Sequence, residues 1–237
     1  MPDLSLDEQR IADEAFAIIK GKESELIEKF ANPHQFTAAD KAVALFMAGA
    51  PGAGKTEVSK HLSEEFKSKP VRIDADEIRE SIPGYRGSHA HIYQHAAVRG
   101  VDMLLNHVFR KNYNFILDGT FAYQGAVMNI KRALNHKRKV DIYYVYQDPV
   151  VAWDFTNKRE ELEHRRVTRD VFIKAYLTSI ANIRQVKKQF GSDIQLNVVV
   201  KDISKEQVLE NLELNVNTLD PYLDSQYTQE VLEGLIQ

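Results

Sequence analysis

The 237-residue chain contains no cysteine. Disulfide frameworks, thiol nucleophiles and thiolate zinc sites are excluded on that ground, and a reducing compartment is compatible with the composition without being required by it. No apolar run approaches the roughly 18 residues of a membrane-spanning helix. Asp3, Asp7 and Glu8 stand where a secretory leader would carry basic residues ahead of an apolar segment. The expectation is a soluble, cytoplasmic protein with no membrane partner. Neither sign of charge is in excess: the formal net charge is −3 and the pI lies near 6.3. That balance supplies no general attraction to nucleic acid, so a nucleic-acid partner is not expected unless a local basic groove provides one. There is no internal repeat, low-complexity tract or clear linker. The length therefore suits one α/β domain over residues 1–237, with a helical extension at 1–40 and a helical tail at 202–237.

The strongest pattern is Gly49-Ala50-Pro51-Gly52-Ala53-Gly54-Lys55-Thr56, which fills every fixed position of the Gly-x-x-x-x-Gly-Lys-Ser/Thr phosphate-binding loop. Its context agrees. Ala42 to Ala48 is a continuous apolar run suited to a buried parallel strand, and Glu57 to Leu62 continues as a helix. The glycines allow a tight turn with inward N–H groups at a helix N-terminus, where phosphate oxygens bind. Lys55 then neutralises the terminal phosphates, and the Thr56 hydroxyl is a ligand for Mg²⁺. A nucleoside triphosphate with its metal is the ligand these residues imply.

Four more strands follow. Pro70 to Ile73 delivers Asp74 and Asp76 at its carboxyl end, the end at which open parallel sheets bind ligands. Asn114 to Leu117 delivers Asp118-Gly119-Thr120, and an apolar strand ending in an acid is the usual second element of a nucleotide site, its carboxylate holding Mg²⁺ or a metal-bound water. Val140 to Val145 and Ile194 to Val200 complete five. Helices are expected at Ser5 to Gly21, where Ser5 and Glu8 form a capping box, and at Ser24 to Phe30, Ala90 to Arg110, Gln124 to Leu134, Val171 to Phe190, Ser204 to about Leu214 and Gln229 to Ile236. On the long helix from Ala90, Asp102 interrupts an apolar row, so it faces a cleft or takes Arg99 or Asn106 as partner. In the helix opened by Pro149, Val151, Phe155, Arg159, Leu162 and Arg166 share one stripe. Arginines so placed close over a triphosphate as a lid, or else pair with Glu160, Glu161 or Glu163. Lys137-Arg138-Lys139 reads as a solvated helix end. His91 and His95 have metal-pair spacing, but Ile92 stands where a zincin needs Glu.

Together, the loop Gly49–Thr56, the stretch Ile73-Asp74-Ala75-Asp76-Glu77-Ile78-Arg79 with Pro83, the Asp118-Gly119-Thr120 turn and the downstream arginines resemble the zeta-toxin family of P-loop kinases, toxic partners in bacterial toxin–antitoxin pairs. The resemblance spans about Ala42 to Val171. It implies a three-layer α/β kinase fold with a mainly parallel five-stranded sheet, ATP and Mg²⁺ as cofactors, and phosphorylation of a hydroxyl. In the best-known members that is the 3′-hydroxyl of UDP-N-acetylglucosamine. It also implies an antitoxin partner. Carried over by position, it suggests Lys55, Arg159 and Arg166 for phosphate stabilisation, Asp76 as general base with Asp74 next in line, and Thr56 and Asp118 on the metal. Asp74, Arg79, Asp102 and Thr120 fall on the substrate side, and Arg165 and Arg169 compete with Arg166 for the second lid position. Where the family has Glu-Gly-Thr-Gly-Arg, this chain has Asp118-Gly119-Thr120-Phe121-Ala122, one methylene shorter at the acid and without the substrate-binding guanidinium. Kinases of nucleotides, antibiotics or polynucleotide 5′ ends share the loop-plus-acid plan. A nucleotide-dependent interaction module is the non-catalytic alternative.

Overall fold

The computed structural model describes residues 4–163, 167–201 and 211–236. In chain order the elements are α1 (Leu6–Gly21), α2 (Glu23–Phe30), β1 (Val43–Ala48), α3 (Lys55–Glu64), β2 (Val71–Asp74), α4 (Ala75–Glu80), α5 (Gln94–Lys111), β3 (Phe115–Asp118), α6 (Ala126–Asn135), β4 (Lys139–Tyr146), α7 (Pro149–Glu163), α8 (Arg169–Phe190), β5 (Ile194–Val200), β6 (Leu212–Glu213) and α9 (Gln229–Leu235). The sheet order is β2-β3-β1-β4-β5-β6. The first five strands are parallel, with Ala44 opposite both Phe115 and Val140, and Asp74 opposite Asp118. Because parallel crossovers are right-handed, α3 covers one face while α5, α6 and α8 cover the other, so the fold is a three-layer α/β sandwich.

The five expected strands are present, and their near-continuous apolar runs reflect burial on both faces: Ala44, Phe46, Ile73, Phe115, Ile116, Ile142 and Val198 have no exposed surface. The sixth corrects the expected helix from Ser204 to Leu214. Leu212 and Glu213 lie antiparallel to Val199 and Val198, satisfying the otherwise open edge of β5. Two residues are too few to show a period-two pattern. Residues 204–210 of that expected helix lie outside the described residues.

At the entry, Ser5 Oγ accepts the Glu8 N–H at 3.3 Å while the Glu8 carboxylate accepts the Ser5 N–H at 2.9 Å, starting α1 as expected. Buried Ala12, Ala15 and Ile19 of α1 and Leu26 of α2 pack these helices on α5. The basic cluster before β4 differs from its expectation. Arg138 is buried, donates to the carbonyls of Tyr113 at 2.5 Å and Val108 at 2.8 Å, and lies over the Phe109 and Phe115 rings. It closes the C-terminal end of α5, where backbone carbonyls lack helical partners, and burial pulls its basicity down to about 10.

Candidate active site

The loop between β1 and α3 is shaped by left-handed glycines, with φ of 131° at Gly49 and 73° at Gly52. A Cβ on Gly52 would lie 2.0 Å from the Ala152 carbonyl oxygen and 2.6 Å from Thr156 Oγ1. Glycine at this position is therefore what lets α7 dock against the loop. Lys55 opens α3 and donates to the Ala50 carbonyl at 2.6 Å, folding its ammonium back across the loop. Gly49 N–H reaches Ser179 Oγ of α8 at 3.2 Å. This glycine-lined turn at a helix N-terminus, with one lysine over it, fits a polyphosphate.

The acids stand at the ends of the strands beside it. Asp118 ends β3, is 5% exposed, and its Oδ2 accepts the Ser59 hydroxyl at 2.6 Å and Arg72 Nη2 at 2.7 Å. Ser59 Oγ also donates to the Thr56 carbonyl at 3.0 Å, joining the first turn of α3 to the end of β3. Asp74 caps α4 by accepting the Asp76 N–H at 2.8 Å. Burial, reinforced by the charges of Asp76 and Asp118, pushes its carboxyl up to about 6 against the pull of that N–H and of Arg72. Asp76 is the more open acid, its side chain 34% exposed, and Oδ1 is held by Arg79 Nη1 at 2.6 Å. Arg79 itself is 4% exposed and its other terminal nitrogen donates to Gln94 at 2.5 Å.

The remaining expected residues separate into groups. Asp102 takes both anticipated partners, Arg99 at 3.2 Å and Asn106 at 3.5 Å, and adds Arg132 of α6 at 3.0 Å. Thr120 Oγ1 accepts the Ala122 N–H at 3.3 Å and so shapes the turn after β3, where Phe121 adopts φ of 61°. Arg159 is exposed on α7. The stripe assigned to it needs correction: Val151 is half-buried and Phe155 exposed, while Ala152, Trp153 and Thr156 are the buried residues. Arg159 follows Ala152 and Thr156 at spacings of seven and three, so it prolongs the face that touches Gly52. Arg165 and Arg166 lie outside the described residues, and Arg169 opens α8. His91, in the turn before α5, meets Glu8 at 3.2 Å and His95 on α5 stacks on Phe16 at 4.4 Å, so both tie α1 to the start of the long helix.

The zeta toxin family model matches residues 28–213. The chain belongs to the zeta toxin family. Membership carries with it a phosphotransferase activity directed at a hydroxyl group and a place among the toxins of toxin–antitoxin systems. Among solved structures, the chain is similar to one from the PezAT chromosomal toxin–antitoxin system of Streptococcus pneumoniae, at 16% identity and a TM-score of 0.65, over 99% of this chain and 96% of that one. It is also similar to a structure of AvrRxo1-ORF1:AvrRxo1-ORF2 with sulphate ions, at 13% identity and a TM-score of 0.58, over 90% of this chain and 70% of the other. Both likenesses are likenesses of fold. No curated protein matches the sequence. Among the described residues no helix is long and apolar enough to cross a membrane.

In this zeta toxin-family chain, sequence reasoning overlooked Ser59, Arg72, Ser179 and Lys201. Lys201 follows β5, bonds Glu57 at 3.3 Å, and its Cε lies 2.9 Å from where a Gly54 Cβ would stand. Ser59 carried a signal, being polar three residues after Thr56 on a helix that buries Val58 and Leu62. The others are brought in by contacts far apart along the chain.

Proposed function

We propose that the chain is an ATP-dependent kinase that transfers the γ-phosphate to a hydroxyl of a small metabolite, a UDP-sugar or nucleotide-like acceptor, with Asp76 as the general base. One observation carries this reading: a phosphate cradle on β1 stands two strands from an open acid at the end of β2, with Asp118 on the strand between. Mg²⁺, when bound by Thr56 and Asp118, neutralises phosphate charge. Lys55 and Arg159 act on the charge that develops on the transferring group, with Arg166 as second lid arginine. Asp76 takes the acceptor's proton as its oxygen bonds to the γ-phosphorus and ADP leaves. Arg79, being buried, orients Asp76 rather than touching substrate, and Asp74 is the second acid able to serve as base. Asp102, neutralised by Arg99 and Arg132, belongs to the acceptor side. Residues 1–237 act as one kinase unit.

UDP-N-acetylglucosamine is the acceptor suggested by the family, and Ala122 marks where recognition must differ, since it offers none of the bidentate contacts of arginine. An antitoxin partner is proposed in keeping with the family and with the toxin–antitoxin system of the neighbouring fold. The test is to incubate the protein with ATP and a metabolite extract and identify phosphorylated species by mass. A discrete phosphorylated metabolite is expected. Hydrolysis of ATP alone across broad acceptor panels would instead favour the nucleotide-dependent interaction module.

A further inference from the structure

Arg72 is a charged residue in the middle of the short strand β2, 16% exposed at its side chain, and three carboxylates surround it. Its Nη2 lies 2.7 Å from Asp74 Oδ2 and 2.7 Å from Asp118 Oδ2, its Nε lies 3.1 Å from that same Asp118 oxygen, and its Nη1 pairs with Glu77. Burial works against the guanidinium charge, and the charges of Asp118, Asp74 and Glu77 outweigh it, holding the group above its ordinary value. Asp118 Oδ2 therefore already accepts three donors, two from Arg72 and one from Ser59. Asp74 is committed in the same way, one oxygen to the Asp76 N–H and the other to Arg72. The acids are spread around a planar fork instead of converging on a point. Consistently, no trio of carboxylates or imidazoles among the described residues is arranged to hold a bare metal ion.

We propose that Arg72 is a positioning residue that keeps this acid cluster closed to free divalent cations, so that metal is admitted only together with the phosphates of a nucleotide. The inference rests on the reading of Asp118 as the metal-side carboxylate. Its physical basis is that a guanidinium carries fixed charge and five donors in rigid geometry, so it satisfies the carboxylates without filling a coordination shell. A free cation must strip those charge-assisted bonds and lose its own hydration for two or three oxygens, whereas one arriving on a triphosphate brings further ligands with it. The arrangement makes nucleotide and metal binding strongly coupled.

The probe is Mn²⁺ alone, titrated against nucleotide-free protein and followed by loss of the free-ion paramagnetic signal and by thermal midpoint. Wild type is expected to bind no Mn²⁺ at concentrations that load it fully when ATP is present. Arg72→Gln is expected to bind Mn²⁺ about tenfold or more tighter than wild type, the scale of effect when a fixed charge leaves neighbouring acids. Its thermal midpoint should rise with Mn²⁺. Arg72→Lys keeps the charge and should stay closed like wild type, an outcome that a merely structural role does not predict. Equal Mn²⁺ affinity of wild type and the glutamine variant overturns the proposal. If the glutamine variant is too unstable to titrate, wild type still decides, because tight Mn²⁺ binding without nucleotide contradicts it. Failure of wild type to bind Mn²⁺ even with ATP present would instead sink the kinase reading itself.

Discussion

The two ends of the sheet differ in what they hold. At the carboxyl end stand the glycine loop, Lys55, Asp74, Asp76, Asp118 and the arginines that grip them. At the amino end, between the start of β1, the start of β4 and the far end of α3, lies a cavity of about 570 Å³ lined by residues such as Lys41, Leu62, Phe66, Lys139 and Asp141. That cavity has no phosphate cradle; among the acids of its lining, Asp40, Glu65 and Asp141, the last is paired with Lys139 at 2.9 Å. The proposed site lies at the carboxyl end, which joins helix N-terminus, left-handed glycine and clustered acids in one place. In the proposed reading, charges at one end are arranged for a ligand, and charges at the other for the fold.

Removing charge should therefore have opposite consequences at the two ends. The largest effect on activity is expected for Lys55→Ala, which should lower phosphoryl transfer by roughly 10²–10³-fold. Its thermal midpoint should hold or rise, since a cation at a helix N-terminus opposes the dipole. A midpoint collapse would erase the contrast. At the amino end, Arg138→Met should cost about 2–4 kcal/mol in denaturant unfolding, because the Tyr113 carbonyl loses the guanidinium donor and the Val108 carbonyl keeps only its backbone partners. Turnover per folded molecule should be unchanged. The smallest effect is expected for Asp141→Asn, within about 1 kcal/mol of wild-type stability and with unaltered transfer. One of its oxygens is already buried without a partner among the described residues. Loss of transfer in that variant would place chemistry in the cavity.

What the sequence made legible follows the same division. The loop, its strand and its helix could be read because each residue type has a mechanical reason at its spacing, and the four other parallel strands could be read from short, largely apolar runs, although β2 carries Arg72, β4 Asp141 and β5 Gln195 and Asn197. The α7 face could not. Its docking residues are Ala152 and Thr156, small side chains selected by contact with Gly52, while Phe155 looked like the anchor and lies exposed. Arg138 looked solvated because Lys137 and Lys139 flank it, and only the fold brings the end of α5 above it. Arg72 was passed over for a related reason: Asp74 and Glu77 are near it in sequence, but Asp118 comes from a neighbouring strand 46 residues away. β6 is a two-residue answer to an open edge, visible only once β5 is in place.

The central claim is that an acid at the end of β2 activates an acceptor hydroxyl beside a nucleotide held by the β1 loop. Its most direct measurement compares ATP affinity with phosphoryl transfer in Asp76→Asn, using the acceptor identified from the metabolite extract. The account predicts near wild-type ATP binding with transfer reduced by roughly 10²–10⁴-fold. Full turnover in that variant would contradict it.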